Sequence, residues 1–241
     1  KRLIFKVIFV VRFPFILRSY IRFRQKDTQK RFPIPFGSIM PVLFENIPYT
    51  RFDTHYIYHT AWAARKVQEI GAPEHVDISS SLYFSSIISA FIPVKFYDFR
   101  PAKLNLSNLV SAPANLSHLH MESNSIKSLS CMHTVEHVGL GRYGDAIDPE
   151  GDVGAAHELS RVVAKDGNLL FVVPIGKPRI QFNAHRIYSY KMVIDMFPEL
   201  TLKEFSLIPD NALEKGIIYN ATEAESDKQE YGCGCFWFIK K

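Results

Sequence analysis

The chain has 241 residues, enough for one well-buried domain and additional segments. Residues 1–31 carry ten of the 29 lysines and arginines but only one of the 24 acidic residues, so this arm has a charge of +9 and the remainder −4. A mildly acidic body argues against a basic groove for nucleic acid, and we expect no nucleic-acid partner. The three cysteines, Cys131, Cys233 and Cys235, do not form a disulfide framework and favour a reducing, cytoplasmic compartment.

Residues 3–17 form an apolar run that Lys6, Arg12 and Pro14 interrupt. The run is too short and too charged for a transmembrane helix, and it lacks the cleavage site of a signal peptide. Its charges do not fall on one helical face. Two interpretations of the basic hydrophobic arm, residues 1–31, remain open: peripheral attachment to an anionic inner membrane face, or a helix packed on the domain or on a partner.

Four prolines in residues 32–53 predict an extended linker or a lid. Helical spacing begins near Thr54, and the sequence Gly71-Ala-Pro73 predicts the end of that helix. Residues 54–241 are predicted to form one α/β domain.

Strands and helices alternate in this domain. The predicted strands are 76–78, 94–97, 118–121, 126–132, 168–173, 200–208 and 235–239. Three further helices are predicted. The first spans 82–91, the second begins at an Asp152 cap and ends near Ala164, and the third spans 189–197. Lys165–Gly167 is predicted to form a turn, and Pro174 is predicted to end the strand 168–173. The alternation is typical of a doubly wound, mostly parallel seven-stranded sheet.

Ligands of such sheets bind beyond the carboxyl ends of the strands. The loop after the first predicted strand, Asp77–Ser81, has three serines and no glycine, which suits a carboxylate better than a diphosphate. Asp98 ends the second predicted strand, where an acid can accept both hydroxyls of a ribose. These features predict an adenosine-containing ligand without phosphates and disfavour a nicotinamide-dependent oxidoreductase.

The sequence resembles the class I S-adenosylmethionine-dependent methyltransferases at several points in the right order. His75–Ser79 is similar to their first motif, Phe96–Asp98 to their second, and Asn124–His137 to the segment leading into their fourth-strand motif. Glu158–Val163 and Asp166–Leu170 resemble the helix and turn before their fifth strand.

A closer likeness is to a branch of that superfamily, domain-of-unknown-function family 268. Its characteristic segments correspond here to Glu136–Asp145, Val173–Gly176, Phe182–Arg186 and Tyr231–Gly234. The likeness covers about residues 72–239 and does not include the basic arm. It implies a Rossmann-like class I methyltransferase fold and S-adenosylmethionine as cofactor.

By position, the resemblance also implies where the cofactor lies. Its methionine end would lie at Asp77, Ser79, Ser80 and Ser81, its ribose at Asp98, its adenine near Glu122 and Ser123, and its sulfonium beside His133. Two departures stand out: the first-motif glycines are absent, and Lys127 replaces a usual aspartate. These departures favour the alternative of a binding or scaffolding protein that no longer catalyses.

Methyl transfer needs an aligned nucleophile and often a base, and the second half of the stretch Cys131–Asp145 offers the groups for it. His137 and His185 are the candidate bases, with Glu136 or Asp145 orienting an imidazole. The candidate acceptor-binding residues are Arg142, Tyr143, Asn183 and Arg186. His133, His137 and His185 lack further metal-ligand spacing, so we predict no metal.

We therefore expect an S-adenosylmethionine-dependent methyltransferase acting on a small-molecule or glycan-type acceptor. The basic arm suggests lipid-linked or surface-polysaccharide precursors at the cytoplasmic face of a membrane. The sequence does not define the acceptor, the methylated atom or the oligomeric state.

Overall fold

A computed structural model describes the backbone of residues 2–241 and the side chains from Arg12 onward. The chain divides into two compact units, residues 1–52 and 53–241. The first contains helix α1, Arg2–Lys26, and a 3-10 turn, Phe36–Ser38. Residues 32–52 fold back onto α1, where the Tyr20 hydroxyl donates to the carbonyl oxygen of Ile34 (2.9 Å). Within residues 2–241, no helix combines the length and hydropathy needed to cross a bilayer.

The second unit is an α/β fold. Its helices are α2 (Thr54–Ile70), α3 (Leu82–Ile88), α4 (Gly151–Val162), α5 (Tyr190–Met196), α6 (Ala212–Lys215) and α7 (Glu223–Ser226), with a 3-10 turn at Val135–His137. Its strands are β1 (His75–Ile78), β2 (Val94–Asp98), β3 (Leu109–Pro113), β4 (Ile126–Met132), β5 (Val163–Ile175), β6 (Arg179–Gln181), β7 (His185–Ile187), β8 (Leu200–Ile208) and β9 (Gly232–Lys240).

Seven strands form one sheet in the order β3-β2-β1-β4-β5-β9-β8, and β6 pairs with β7 separately. Strand β9 runs antiparallel to both neighbours, whereas the pairs from β3 to β5 are parallel. The predicted doubly wound, mostly parallel seven-stranded sheet is confirmed. Because β3, β2, β1, β4 and β5 run parallel, the carboxyl ends of these five strands share one edge of the sheet.

The central strands are buried on both faces. In β5, Phe171 and Val173 join an apolar cluster with Leu159, whereas Leu170 and Val172 join a second cluster with Trp62. Successive side chains of the strand point to opposite faces of the sheet, so the protein has two apolar cores, one on each face under the helices that cover it. Each fully buried large side chain stabilises the fold by roughly 1.5–3 kcal/mol.

Helix α2 begins at Thr54 and ends before Gly71, as predicted, and its end residues explain both boundaries. The Asp53 carboxylate accepts the N–H of Tyr56 (3.1 Å), which satisfies one free donor of the first turn. Gly71 adopts φ 63, the left-handed conformation that ends a helix without side-chain strain. The predicted bounds of β4 and β8 are also confirmed.

The predicted strand 118–121 is wrong. The third strand is Leu109–Pro113, which pairs in parallel with Val94–Asp98 at the edge of the sheet. Only Leu109 of this strand is buried. An edge strand with one buried residue lacks the apolar pattern by which strands are recognised in a sequence.

Three boundary predictions around α4 and β5 are corrected. Glu150, not Asp152, precedes the first residue of α4, and the Asp152 carboxylate instead accepts the hydroxyl of Tyr188 (3.0 Å). Lys165–Gly167 lies inside β5, where the register with β4 shifts, and Asp166 has φ 57. Pro174 continues the strand opposite Cys233, and its carbonyl accepts the N–H of Tyr188 (3.1 Å).

The register shift in β5 makes a stability prediction. A Cβ at Gly167 would lie 2.7 Å from the carbonyl oxygen of Ala164 and 2.8 Å from that of Ile126. Gly167→Ala is therefore expected to lower the free energy of unfolding by about 1–3 kcal/mol in urea denaturation. Gly154 in α4 has nothing within 4 Å of its Cβ position, so Gly154→Ala is the control and gains about 0.5–1 kcal/mol. Equal stability of the two variants would contradict the close backbone approach.

Candidate functional site

A cavity of about 540 Å³ lies at the carboxyl edge of the sheet. Its walls come from the residues that follow four adjacent strands: Ser79 after β1, Asp98 at the end of β2, residues 114–117 after β3 and His133 after β4. Part of the glycine loop between His137 and Gly151 forms another wall. The volume falls in the range of roughly 300–1,000 Å³ typical of small-molecule sites.

Asp98 lies at the cavity with one carboxylate oxygen engaged by its own loop. Oδ1 accepts the N–H of Arg100 (2.6 Å), and Oδ2 accepts no hydrogen bond from the side chains and backbone that the structure describes. The guanidinium of Arg100 lies over the Tyr143 ring, 4.5 Å from its centroid. Both side chains line the cavity. Sequence reasoning missed Arg100, although its position two residues after Asp98 at the same strand end was a usable signal.

The loop after β1 uses serines in place of glycines. Ser79 adopts φ 57, and its carbonyl accepts the Thr134 hydroxyl (2.9 Å), which ties the ends of β1 and β4 together. Ser80 turns inward, where its hydroxyl accepts the N–H of Met132 (3.0 Å). Ser81 occupies the position before α3 without making a side-chain cap. Of the three serines, only Ser79 lines the cavity.

Asp77 does not reach the cavity. It is fully buried, and its carboxylate accepts hydrogen bonds from the hydroxyls of Ser130 (2.5 Å) and Ser85. Ser130 also contacts the ring of the buried His75 (2.9 Å). Burial raises the pKa of Asp77 to about 6, although the serine hydroxyls act against it, and burial lowers the pKa of His75 to about 3. This network belongs to the core between β1 and β4.

Glu122 and Ser123 lie outside the cavity. Both are exposed, and the Ser123 hydroxyl accepts a hydrogen bond from Arg161 (3.1 Å) in a separate surface depression. Both residues were predicted from a third strand at 118–121, whereas the third strand of the structure is Leu109–Pro113. Because β3 ends at Pro113, the residues beyond its carboxyl end are 114–117, and these line the cavity instead.

Glu136 is a buried carboxylate that faces two histidines. Its exposed fraction is 1%, and Oε1 lies 2.9 Å from Nδ1 of His133 and 3.8 Å from Nε2 of His137. His137 in turn directs Nδ1 to the carbonyl oxygen of Ala184 (2.7 Å). Burial lowers the pKa of His137 and Arg142 adds to this, whereas Glu136 opposes it. His133 and His137 both line the cavity.

Asp145 organises the glycine loop and contacts no imidazole among the described side chains. Its carboxylate accepts the N–H groups of Gly139 (2.8 Å), Gly141 (3.3 Å) and Tyr143 (3.1 Å). Burial acts to raise the pKa of Asp145, but the backbone donors outweigh it and the net direction is downward. The residue therefore positions the loop that carries Tyr143.

The remaining predicted site residues divide between core and surface. Arg186 is buried and donates to the carbonyl oxygens of Val138 (2.6 Å) and Pro149 (3.1 Å). Arg142 is exposed and donates to Ala184 (2.9 Å), and Asn183 is exposed on the hairpin of β6 and β7. His185 lies outside the cavity wall, with its ring 5.2 Å from that of Tyr231.

Sequence reasoning missed a group of rings on the other side of His133. The rings of His55, Tyr56 and His59, all from the first turns of α2, lie 5.6, 5.4 and 5.0 Å from the His133 ring. Cys233 of β9 places Sγ 3.4 Å from Nε2 of His133. The only signal was the spacing of His55 and His59 on one helical face, which by itself indicates ordinary packing.

Residues 105–207 match the family described as "Caenorhabditis protein of unknown function, DUF268". The matched range contains β4 and three of the segments that carry the predicted resemblance, Glu136–Asp145, Val173–Gly176 and Phe182–Arg186. The predicted resemblance to this family is confirmed over that range. A comparison with curated protein sequences finds no significant match.

Solved structures confirm the predicted fold. The YcgJ protein from Bacillus subtilis is 14% identical, with 76% of this chain and 99% of that chain covered at a TM-score of 0.51. A SAM-dependent methyltransferase from Thermotoga maritima is 12% identical, with 77% and 91% covered at 0.51. The [4+2]-cyclase SpnF is 9% identical, with 75% and 79% covered, also at 0.51. At such identities the likeness shows the fold alone, the Rossmann-like class I methyltransferase fold.

The placement of Asp77 predicts a pH dependence of stability. A carboxyl group with a pKa of about 6 when folded and 3.8 when unfolded holds an extra proton in the folded protein between these values. Its stabilising contribution is therefore present below pH 4 and lost as the pH rises through 6. We expect the unfolding free energy of the wild type, relative to Asp77→Asn, to fall by about 3 kcal/mol between pH 4 and 7. A pH-independent difference in chemical denaturation would contradict this assignment.

Proposed function

We propose that this protein is an S-adenosylmethionine-dependent methyltransferase that acts on a small-molecule or glycan-type acceptor. The observation that carries the proposal is the Asp98 carboxylate at the end of β2, which lines the cavity and keeps one oxygen unengaged by the described residues. A carboxylate at this strand end is placed to accept the hydroxyls of a ribose. The absence of glycines at the end of β1 fits a ligand without a diphosphate.

The cavity walls suit the parts of this cofactor. Asp98 would bind the ribose, Leu116 and Phe99 offer apolar surface for the adenine, and Ser79 with Thr134 would border the methionine end. When bound, the cofactor supplies an activated methyl group. His133 stands at the end of β4 between this region and the glycine loop.

The acceptor side of the cavity is formed by His137 and the loop around Tyr143. The His137 Nδ1–H donates to the carbonyl of Ala184, so Nε2 keeps its lone pair and can take a proton from an acceptor hydroxyl or amine. Arg142 lies 5.1 Å from the centroid of the Tyr143 ring and is exposed, which suits an anionic or sugar acceptor. Arg186 is engaged with backbone carbonyls and supports the loop instead.

The alternative function is a binding or scaffolding protein of the same fold that does not catalyse. The burial of Asp77 favours it, because the core serines and not a ligand occupy this first-motif carboxylate. The cluster of Glu136, His137 and Tyr143 beside the cavity favours catalysis.

Calorimetric titration of the full chain with S-adenosylmethionine, and separately with its demethylated product, tests the proposal. We expect both to bind, and Asp98→Asn to weaken binding about 10–100-fold, because a charge-assisted hydrogen bond is lost. Glu122→Gln is the matched control, since Glu122 is exposed outside the cavity and its variant is expected to bind normally.

The outcomes separate the alternatives. No binding at millimolar ligand refutes the methyltransferase proposal. Binding that survives Asp98→Asn refutes the ribose assignment. Binding without methyl transfer to any sugar, lipid-linked or small-molecule acceptor supports the non-catalytic alternative.

We also propose that the arm holds the protein at an anionic membrane surface on the cytoplasmic side. Exposed Arg18, Arg22 and Arg24 alternate on α1 with Phe15 and Phe23, whose exposed fractions are 68% and 61%. Exposed rings beside basic side chains suit the boundary between lipid headgroups and acyl chains. Each basic residue near such a surface contributes about 1 kcal/mol.

Co-sedimentation with phosphatidylserine vesicles checks this proposal. Replacement of Arg18, Arg22 and Arg24 by glutamine is expected to weaken binding at least about 30-fold, and salt to weaken wild-type binding.

The control carries the same loss of charge in residues 53–241: Lys165, Lys177 and Lys191, all exposed, replaced by glutamine. Equal loss in both variants would show a non-specific charge effect and contradict a membrane role for the arm.

A further inference from the structure

A group of metal-ligating atoms lies beside the cavity in residues 53–241. His55 from α2, His133 after β4 and Cys233 from β9 each offer one ligand atom, and these atoms all lie within 4.8 Å of one another. The Sγ of Cys233 is 3.4 Å from Nε2 of His133. In a tetrahedral zinc site, nitrogen and sulfur ligands stand about 3.5 Å apart. We propose that His55, His133 and Cys233 bind a divalent transition-metal ion, with zinc as the best fit.

The three ligands stand on well-fixed backbone. His55 is the second residue of α2, directly after the start that Asp53 caps. His133 adopts φ 54 and donates its N–H to the carbonyl of Val172 (2.8 Å), which fixes it at the end of β4. Cys233 pairs with Pro174 and Ile208 on either side of β9. The ligand atoms, all within 4.8 Å of one another, would approach to about 3.5 Å around an ion.

Glu136 gives His133 the environment of a metal-bound imidazole. Its Oε1 lies 2.9 Å from Nδ1 of His133, so Nδ1 carries the hydrogen and Nε2 keeps its lone pair on the side of Cys233. Metal-ligating histidines characteristically donate the other ring N–H to a carboxylate or carbonyl. The second oxygen, Oε2, is buried and has no hydrogen-bond partner among the described residues. A nearby cation compensates the cost of such a buried carboxylate.

Neighbouring rings hold the ligand rings in place. The His55 ring lies nearly parallel to those of His133 (centroids 5.6 Å apart) and Tyr231 (5.1 Å). Nδ1 of His59 donates to the carbonyl oxygen of His55 (2.7 Å), which supports the first turn of α2. The ligand set therefore lies among aromatic side chains, with the cavity on the other side of His133.

The chemistry of the donors selects the ion. Two imidazoles and a thiolate favour zinc and related transition metals over Mg²⁺ and Ca²⁺, which prefer oxygen ligands. Three protein ligands leave one position of a tetrahedral ion for water or a substrate atom. Binding of the ion does not depend on the proposed methyl transfer, so a negative result for one proposal does not refute the other.

The test uses the purified full chain after chelator treatment. We expect one zinc ion to bind with submicromolar affinity in competition with a chromophoric chelator. We also expect cobalt(II) to give a thiolate-to-metal charge-transfer band and the strong visible bands of four-coordinate cobalt. Cys233→Ser is expected to abolish the charge-transfer band and to weaken zinc binding at least about 100-fold, and Glu136→Gln to weaken it about 10–100-fold.

Cys235→Ser is the matched control, because Cys235 is a buried cysteine on the same strand, and it is expected to keep the charge-transfer band. His55→Gln provides a second test that does not depend on whether Cys233→Ser folds, because His55 lies in the partly exposed first turn of α2. This variant is expected to weaken zinc binding at least about tenfold. Absence of stoichiometric binding by the wild type overturns the proposal. So does an unchanged affinity in folded Cys233→Ser or His55→Gln.

Discussion

The contact between Glu136 and His133 is the interaction on which the functional edge of this protein depends. A carboxylate that is 1% exposed is costly unless it is paired, and the His133 ring 2.9 Å away is its main partner. The pair fixes the ring at the end of β4, where one side borders the cavity and the other borders Cys233.

The sheet makes this contact effective because its parallel strands and its antiparallel strand β9 meet at β5. Four parallel strands deliver Ser79, Asp98, residues 114–117 and His133 to one edge. The antiparallel β9 pairs with the far side of β5 and brings Cys233 back to the same place. One edge therefore holds two neighbouring sets of groups: oxygen acceptors around a cavity suited to an adenosyl cofactor, and nitrogen and sulfur donors suited to a metal ion.

Sequence patterns predicted those parts of the site that depend on a single strand end. Asp98 was recognisable because it is the acid that ends the short strand β2, and it lines the cavity. Asp77 has the same appearance in the sequence but is fully buried. Only the serines at positions 85 and 130, which come from different elements, decide which way that carboxylate points. The prediction for Glu122 was wrong because β3 is an edge strand without an apolar pattern, so the sequence did not reveal where the third strand ends.

The sequence by itself determined the doubly wound sheet, the start of α2 near Thr54 and its end at Gly71, and the bounds of β4 and β8, since helix-ending residues and period-two burial are local properties. The tertiary structure alone decided that His55, His133 and Cys233 meet, although the last two are 100 residues apart in the chain. The physical reason is that residue patterns encode which faces are buried. They do not encode which strand pairs between β5 and β8, and this pairing places Cys233 against His133.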